Sequence, residues 1–435
     1  MNRNNRQIKI KPALFLSVIC FIALSSCHSG SPLDDRMQIV LDKGIEKNEV
    51  NGVSAAVIFP DGRIWTGVSG ISHGSVPVKP DMLFAIGSVT KNFIAALTLT
   101  LVEDNVLSLN DPLSKWLPEY PNVDDHITIR QLLNHTSGLY MFWDNQQLWD
   151  ELIRDRTKYW TPEEVLRNIK EPYFKAGEGW HYSNTNYLLL AMIINKATGS
   201  DLASELKKRF CEPLGITDFY VSQEETLPAN LAHVYGDNFQ FGGSTVDVTF
   251  LPRVSHESIT YGSSGIFTTS KDLARWSQAL FGGRILRQQS LNEMLTFIEF
   301  KPAFNMRAYG LGVQKYTKQF SWGKLAIGHG GGNIGTTTYM VYLPDYQVSV
   351  VVMINAFPSK SADVITRGLI KALLEDLNAL SLSQYLLTTV NFYRFRMMVI
   401  LAIISWIILI TYIAVKRRNL LRHREEVPDG FTFKG

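Results

Sequence analysis

Residues 82–102 read MLFAIGSVTKNFIAALTLTLV, and this stretch decides how the rest of the chain is interpreted. An apolar, strand-like run, Met82–Ile86, ends in a glycine turn, and a long apolar run without proline or glycine, Phe93–Val102, follows. Between the two runs, Ser88 is expected at a helix N-terminus, where backbone N–H groups have no partner within the helix. Lys91 lies one helical turn further on, so we expect its amino group on the same face as the Ser88 hydroxyl.

The spacing Ser-x-x-Lys is weak on its own, because it occurs three times in the chain. Ser204 and Lys207 lie in an amphipathic stretch and are expected on a solvated helix face, whereas Ser321 and Lys324 lie beside a Trp-Gly turn. Ser88 alone stands between a strand-like run and a long apolar helix. The sequence therefore favours Ser88 as the chemically important serine.

Two later clusters strengthen this choice. They are Tyr182–Asn184, which reads Tyr-Ser-Asn, and His329–Gly332, which reads His-Gly-Gly-Gly. Together with Ser88 and Lys91, they supply a nucleophile beside an amine, a phenol beside an amide, and a strand edge without side chains. These groups are the parts needed for acyl transfer through a serine ester.

The roles of these side chains follow from their chemistry. A serine hydroxyl is a poor nucleophile at neutral pH unless a base accepts its proton. Lys91 can accept it if burial lowers the pKa of the amine, and Tyr182 can share the role if cationic neighbours favour its phenolate, so both assignments stay open. Asn184 can donate and accept hydrogen bonds, so we expect it to hold Lys91 and a substrate amide. The N–H of Ser88 and one N–H of the glycine-rich strand edge are expected to form an oxyanion hole.

Composition and charge limit the possible functions. A hydrophobic fraction of 46% and a charged fraction of 19% suit a globular core combined with membrane segments. The net charge is +3, but much of the basic excess lies in the two terminal segments, so the central part carries a small negative charge. No basic face for nucleic acid is indicated.

The N-terminus is typical of a secretory signal. A basic segment leads into the apolar run Ala13–Leu24, which is too short to span a bilayer. Leu24–Cys27 reads Leu-Ser-Ser-Cys and resembles a bacterial lipobox, which predicts cleavage before Cys27 and lipidation of its thiol. The alternative is an ordinary cleavage site with an incidental cysteine. Cys20 lies within the signal, so Cys211 is the one thiol expected in the mature domain, as a small buried hydrophobe.

A second apolar run lies near the other end. Met397–Val415 contains no charged residue and is long enough to span the hydrocarbon core at about 1.5 Å per residue. Arg394 and Arg396 precede it, and the more basic segment Lys416–Arg424 follows, so the positive-inside rule places the tail in the cytoplasm. The exported N-terminus predicts the same topology. The expected location is the inner, cytoplasmic membrane, with the central domain extracytoplasmic, in the periplasm.

Strand patterns occur near both ends of the central part. Val53–Phe59 and Arg63–Val68 flank Pro-Asp-Gly and predict a hairpin. Thr336–Leu343 and Gln347–Ile354 flank Pro-Asp-Tyr and predict a second one. The two hairpins are expected to contribute to one sheet.

Helical periodicity dominates the middle, from about residue 93 to residue 282. Leu188–Lys196 and Asp272–Leu280 are the clearest helices, and Ser361–Leu377 predicts another near the end. An antiparallel sheet built from N- and C-terminal segments, flanked by helices and carrying a mainly helical insert, is an α+β architecture. The insert carries the second cluster, whereas the first and third belong to the sheet side, so a ligand cleft is expected between them.

These motifs resemble the serine β-lactamase-related hydrolases, a family that includes class C β-lactamases, D-alanyl-D-alanine carboxypeptidases and esterases. The resemblance covers about residues 36–378 and extends to the flanks of the three clusters. The matching flanks are Leu132–Leu139, Gly177–Tyr187, Pro213–Asp218 and Gly265–Thr269. The resemblance implies the β-lactamase/transpeptidase-like fold of penicillin-binding proteins.

The resemblance also implies roles for individual residues. The catalytic residues would be Ser88, Lys91 and Tyr182. The substrate-binding or oxyanion residues would be Asn184, His329, Gly331 and Gly332, with Gly332 supplying the second oxyanion N–H. Neither the resemblance nor the spacing of histidines and acids indicates a cofactor or a metal.

The third cluster departs from the pattern of penicillin-recognising members, which usually carry Lys-Thr-Gly or Lys-Ser-Gly there. A lysine provides a fixed positive charge for the carboxylate of a β-lactam or of a peptide C-terminus, whereas His329 is expected to be mostly neutral at pH 7. Gly330 also lacks the hydroxyl that would bind this carboxylate. Members with His-x-Gly resemble esterases, D-amino-acid peptidases and amidases, so we expect no efficient β-lactamase activity.

The sequence thus predicts a membrane-anchored extracytoplasmic serine hydrolase that cleaves an ester or amide, such as a D-amino-acid peptide, a cell-wall-derived peptide or an acyl ester. The alternatives are a class C-like β-lactamase or D-alanyl-D-alanine carboxypeptidase, and a non-catalytic penicillin-binding-type sensor. The intact polar set disfavours the sensor, and so does a cytoplasmic tail too short for a signalling domain. The expected partners are a small-molecule or peptide substrate and the lipid bilayer, without nucleic acid, and the sequence does not determine the oligomeric state.

The predicted organisation has six parts. They are a lipoprotein-type signal peptide (1–27), a tether (28–35), the hydrolase domain (36–380), a linker (381–396), a transmembrane helix (397–415) and a basic cytoplasmic tail (416–435).

Overall fold

The computed structural model describes residues 32–48, 50–237, 245–303, 305–357, 361–380 and 405–406. The chain divides into two compact units at Asp376, and the description below concerns the N-terminal unit. Its helices are α1 (Leu33–Asn48), α2 (Thr90–Glu103), α3 (Ile129–Leu133), α4 (Gln146–Arg154), α5 (Pro162–Arg167), α6 (Asn184–Thr198), α7 (Leu202–Leu206), α8 (Glu212–Leu214), α9 (Val254–Ile259), α10 (Ser270–Phe281), α11 (Gln288–Met294) and α12 (Ser361–Asp376).

The strands follow the same chain order. They are β1 (Gly52–Ile58), β2 (Ile64–His73), β3 (Val76–Pro77), β4 (Phe84–Ala85), β5 (Phe219–Val221), β6 (Tyr235–Asp237), β7 (Thr245–Asp247), β8 (Ile266–Thr268), β9 (Ile298–Ala303), β10 (Met306–Tyr309), β11 (Gln314–Tyr316), β12 (Ile327–Asn333), β13 (Thr336–Leu343), β14 (Val348–Ile354) and β15 (Ala356–Phe357). Two short 3-10 turns matter for the site, Gly87–Val89 before α2 and Phe142–Asp144 before α4.

The main sheet is assembled from both ends of the unit, as predicted. Its strand order is β3-β2-β1-β14-β13-β12-β11-β10-β9, and the pairings are antiparallel. N-terminal β1 lies beside C-terminal β14, with Val53 opposite Ile354. Two smaller sheets, β4-β8-β5 and β15-β6-β7, border it.

Both predicted hairpins are present. β1 and β2 pair from Gly52 to Ile58, and the turn between them contains Gly62 at a φ of 85°, which glycine adopts without steric cost. β13 and β14 pair with Leu343 opposite Val348. The turn residues therefore fix the register of each hairpin, and β13 pairs in turn with β12, which carries the third cluster.

Helices cover both faces of the central strands. β1 and β14 are buried along their whole length, as expected for strands that lie between two layers. α10 packs on these strands, where the hydroxyls of Ser54 and Ser270 lie 2.8 Å apart. α1 and α12 pack against each other, and α12 also contacts β14.

The helical insert centres on α2 and α6. Both are apolar on most sides and buried along nearly their whole length, as predicted for the run after Ser88. Phe93 of α2 stacks on Trp276 of α10, with 4.1 Å between the ring centroids. α6 ends at Gly199, whose φ of 68° is the left-handed conformation of a helix C-cap.

Two parts of the fold were not predicted. α1 begins at Leu33, so the polar tether predicted up to residue 35 already contains the start of a helix. β9, β10 and β11 extend the sheet beyond β12. β9 is largely exposed, and its alternation of apolar and charged residues covers only the four positions before Pro302, which is too short a pattern to indicate a strand.

None of the helices among the described residues is long and apolar enough to cross a membrane. The predicted spanning run, Met397–Val415, lies outside the described residues apart from Ser405 and Trp406. The predicted signal segment and Cys27 also lie outside them.

Candidate active site

The Ser88 turn is packed directly against strand β12. A Cβ on Gly87 would lie 2.4 Å from the carbonyl oxygen of Gly332, and a Cβ on Gly331 would lie 2.0 Å from that of Ile86 and 2.9 Å from the amide nitrogen of Ser88. Such distances are too short for side chains, so glycine on both partners allows the two backbones to meet. Ser88 itself is partly exposed while the residues on either side of it are buried, so its hydroxyl is the accessible group of the turn.

Lys91 lies beneath the serine hydroxyl, as predicted. Its Nζ is 3.0 Å from Ser88 Oγ and donates to the carbonyl oxygen of Ser263 at 2.8 Å. The side chain is completely buried, and this burial lowers the pKa of the amine well below its ordinary value. The neutral amine is therefore favoured, and it is within proton-transfer distance of Ser88.

Tyr182 reaches the same hydroxyl from the insert. Desolvation raises the pKa of the phenol, and a hydrogen bond with Ser88 opposes this rise without cancelling it. The ring centroid of Tyr182 lies 5.0 Å from Lys91 Nζ. The structure therefore brings the three predicted catalytic side chains together and favours a neutral phenol over a phenolate.

Asn184 begins α6 and is anchored through its backbone. Its N–H donates to Met141 Sδ at 3.0 Å, while its buried side-chain oxygen has no hydrogen-bond partner among the described residues. We predicted that Asn184 would hold Lys91. The structure differs, because the carbonyl of Ser263 accepts from Lys91 instead.

His329 lies on β12 but its side chain is completely buried. Its Nε2 lies 2.8 Å from the Tyr309 hydroxyl and its Nδ1 lies 2.6 Å from the carbonyl oxygen of Gly330. Burial first, and the nearby Lys91 second, lower the pKa of the imidazole to about 3. The ring is therefore neutral, as predicted. The expectation that it faces the substrate has to be corrected, because both of its nitrogens are bonded within the protein.

His135 supports the second cluster from below. Its Nδ1 lies 3.2 Å from the backbone nitrogen of Ser183 and 2.9 Å from the side-chain nitrogen of Asn186. Both neighbours are donors, so Nδ1 is the acceptor nitrogen of a neutral ring. The centroid of this ring is 4.4 Å from that of Tyr182. His135 therefore has a structural role, and its ring helps to position Tyr182, one of the predicted catalytic residues.

The far end of β12 carries a polar network that sequence reasoning missed. Asn333 donates from Nδ2 to Ser264 Oγ at 3.0 Å, and its Oδ1 accepts from Arg253 Nη2 at 3.2 Å. Ser263, next to Ser264 in the chain, holds Lys91. No sequence motif marked Arg253 or Ser263. Arg253 contacts a segment that is distant in the sequence, and Ser263 acts through its backbone carbonyl.

The two other Ser-x-x-Lys pairs have different surroundings. Ser204 is exposed on α7, and Lys207 forms an ion pair with Glu225. Ser321 is buried and donates to the backbone carbonyl of Thr317. Neither serine contacts the amine of its own lysine, so Ser88 remains the candidate nucleophile.

A group of potential metal ligands also occurs among the described residues. Asp124, Asp125 and His126 lie together in the loop before α3, and they are exposed or nearly so. Exposed acidic groups of this kind are common without a bound ion, and the loop is not part of the Ser88 cluster.

Comparisons with known proteins show which proteins the chain is similar to. The sequence pattern of the family described as Beta-lactamase matches residues 37–375. Penicillin-binding protein 4* of Bacillus subtilis is 29% identical over 64% of this chain, and the match spans 62% of that protein. Esterase EstB of Burkholderia gladioli is 29% identical over 56% of this chain and 69% of its own. A solved structure of the D-amino acid amidase from Ochrobactrum anthropi SV3 superimposes with a TM-score of 0.70 at 28% identity, covering 80% of this chain and 100% of that one.

Proposed function

The chain belongs to the β-lactamase family, and on that premise we propose that it is a serine hydrolase that cleaves an ester or amide through an acyl-Ser88 intermediate. The observation that carries this proposal is the distance of 3.0 Å between Lys91 Nζ and Ser88 Oγ, with the amine completely buried. A serine hydroxyl beside a neutral amine has the base that it needs to become a nucleophile.

Each group has a defined role in the proposed reaction. The Lys91 amine accepts the proton of Ser88 as Oγ bonds to the substrate carbonyl carbon, and the carbonyl becomes an oxyanion. The N–H groups of Ser88 and Gly332 stabilise that oxyanion. Tyr182, a neutral phenol beside Ser88, passes a proton to the leaving amine or alcohol and regains one from Lys91. Water then attacks the ester carbonyl along the same proton path and releases the acid.

The substrate class follows from the third cluster and from the relatives. His329 is neutral and bonded within the protein, so it supplies no charge for the carboxylate that a penicillin or a peptide C-terminus carries at that end. Asn184 Oδ1 is unpartnered among the described residues and can accept from a substrate amide. These features favour D-amino-acid amides, peptides or acyl esters, in line with the names of the similar amidase and esterase.

The other candidates have less support. A class C-like β-lactamase or D-alanyl-D-alanine carboxypeptidase would use the same nucleophile, and the similar penicillin-binding protein supports this possibility. The buried neutral His329 disfavours it. A non-catalytic sensor would not require a buried amine held against the serine.

We also propose that the hydrolase is held at the outer face of the inner membrane by a lipid on Cys27 and a spanning helix at Met397–Val415. The apolar runs and flanking charges of the sequence support this arrangement. The cleft would then meet cell-wall peptides or lipid-linked esters. Protease treatment of spheroplasts should digest the central domain and spare the tail after Lys416. Digestion of the tail with a protected domain would mean the opposite topology.

The proposed proton path is tested by comparing Lys91→Ala, Tyr182→Phe and the double variant. Each single change should slow acylation of a D-amino-acid ester by about a hundredfold or more. The effects should not add fully, because both residues serve one path. Full activity in either single variant would show that the proton acceptor lies elsewhere.

A further inference from the structure

Contacts between neighbouring segments form a closed circuit that starts and ends at the nucleophile. Each contact is connected to the next by a short stretch of the chain. In order, the contacts join Ser88 with Gly331, Asn333 with Arg253, His256 with Trp143, Met141 with Asn184, and Tyr182 with Ser88. The catalytic groups occupy one side of this circuit. The short helix α9, with Arg253 at its start and His256 in its first turn, occupies the other.

We propose that Arg253 binds an acidic group on the acyl part of the substrate, the part that remains on Ser88 after the first step. This inference rests on the proposed function and narrows its substrate class to acyl groups that carry a carboxylate. Arg253 is then a specificity-determining residue rather than a catalytic one.

Two neighbouring side chains hold the Arg253 guanidinium in place, and they use only some of its N–H donors. Its Nε lies 3.4 Å from Glu257 Oε1, and Nη2 donates to Asn333 at 3.2 Å, which fixes its orientation. The second oxygen of Glu257 accepts from Ser222 at 3.0 Å. An arginine has five N–H donors, so these bonds leave donors for a ligand, and the side chain keeps 17% of its surface exposed.

Arg253 contacts β12 at Asn333, the last residue of the strand, whereas His329 lies near its start. Asn333 lies four residues after His329, a step of about 13 Å along an extended strand. Gly331, which packs on the Ser88 turn, lies between them. The family resemblance places the leaving-group carboxylate of penicillins at the His329 end. A group bound by Arg253 therefore lies on the opposite side of the scissile bond, in the acyl part.

The side-chain oxygen of Asn184, which has no hydrogen-bond partner among the described residues, is consistent with a substrate whose acyl part points towards Arg253. It lies on the circuit between the catalytic tyrosine and the Met141 segment, where it can accept the N–H of an acylamino group. A carboxylate further along that acyl chain would reach Arg253. A charge-assisted hydrogen bond of this type, possible in bidentate form, is about twice as strong as a neutral one.

Two isosteric substrates test the proposal, N-succinyl-D-alanine p-nitroanilide and N-butyryl-D-alanine p-nitroanilide, which differ by a terminal carboxylate against a methyl group. The full-length protein should prefer the succinyl compound. Arg253→Gln should lower the ratio of kcat/KM for succinyl over butyryl by about tenfold or more, and Arg253→Lys should recover part of it. Arg275→Gln is the matched control, because Arg275 forms a similar pair with Asp272 at 3.1 Å on α10.

A structural role for Arg253 would lower both rates equally and leave the ratio unchanged, which would overturn the proposal. Calorimetric binding of N-succinyl-D-alanine and N-butyryl-D-alanine to Ser88→Ala protein measures the subsite without turnover. Tighter binding of the succinyl compound that is lost with Arg253→Gln would support the subsite, and equal binding of both compounds would overturn it. Failure of Ser88 to react with a serine-directed probe would instead overturn the proposed hydrolase.

Discussion

Tyr309 and His329 form a buried pair, with the phenol oxygen 2.8 Å from the imidazole Nε2 and no exposed surface on either residue. Since Nδ1 of the same ring already lies against the Gly330 carbonyl, the phenol must donate to Nε2. This hydrogen bond therefore favours the neutral form of the His329 ring. The residue at the position where penicillin-recognising members usually carry lysine then supplies no positive charge.

Tyr309→Phe should destabilise the protein, because it leaves the buried Nε2 of His329 without a donor. We expect a loss of about 1–3 kcal/mol in the free energy of unfolding, measured by urea denaturation. Tyr316→Phe is the control, since the buried Tyr316 hydroxyl has no hydrogen-bond partner among the described residues. Equal losses in both variants would indicate that packing, and not this hydrogen bond, is responsible.

Lys91→Met should inactivate the protein and yet make it more stable near neutral pH. Burial lowers the pKa of Lys91, so between its folded pKa and the unfolded value of about 10.4 the unfolded chain binds the extra proton. Stability of the unaltered protein therefore rises with pH across that window, whereas the variant lacks this dependence. The advantage of Lys91→Met should shrink as urea unfolding is repeated towards pH ~10.

The exposed Lys43 provides the control for that experiment. Lys43→Met removes an amine at the surface by the same substitution, so it measures the effect of exchanging lysine for methionine without burial. A Lys91→Met advantage that stays constant or grows with rising pH would contradict a buried neutral amine.

Gly331→Ala should reduce activity by about a hundredfold or more while the protein still folds. Its Cβ would lie 2.0 Å from the carbonyl oxygen of Ile86, so the Ser88 turn must move away from the strand, and small displacements of a nucleophile are costly. Gly330→Ala is the matched control, because its Cβ would first meet the Tyr339 ring at 3.4 Å. Steady-state kinetics and circular dichroism of both variants decide the matter. Full activity of Gly331→Ala would refute the close packing.

D-amino-acid amides and acyl esters should be hydrolysed with a higher kcat/KM than benzylpenicillin. The reason is that neutral His329 offers no charge to a carboxylate on the leaving-group side. A panel of such substrates at one pH provides the measurement. If penicillin were the best substrate, the assignment to the amidase and esterase side of the family would be wrong.

The parts of the fold that depend on local pattern could be predicted from the sequence. The apolar run after Ser88 became α2, and the predicted helix Leu188–Lys196 lies within α6. Both hairpins kept their predicted turns, because Gly62 and the Pro-Asp-Tyr segment leave few alternatives. β9 escaped prediction because its alternation of apolar and charged residues covers only the four positions before Pro302.

The candidate site was predictable only where a motif marks it. Ser88, Lys91 and Tyr182 meet as expected, since each lies in a short recognisable cluster. The orientation of His329 depends on Tyr309, which comes from a neighbouring part of the sheet that no pattern indicated. Ser263 contributes a backbone carbonyl, which leaves no trace in side-chain identity.

The most direct test of the central claim is reaction of the full-length protein with a fluorophosphonate, followed by mass spectrometry of the labelled peptides. The account predicts a single adduct on Ser88, which is lost in a folded Ser88→Ala variant together with ester hydrolysis. An adduct on Ser204 or Ser321, or no adduct while hydrolysis continues, would contradict the acyl-Ser88 intermediate.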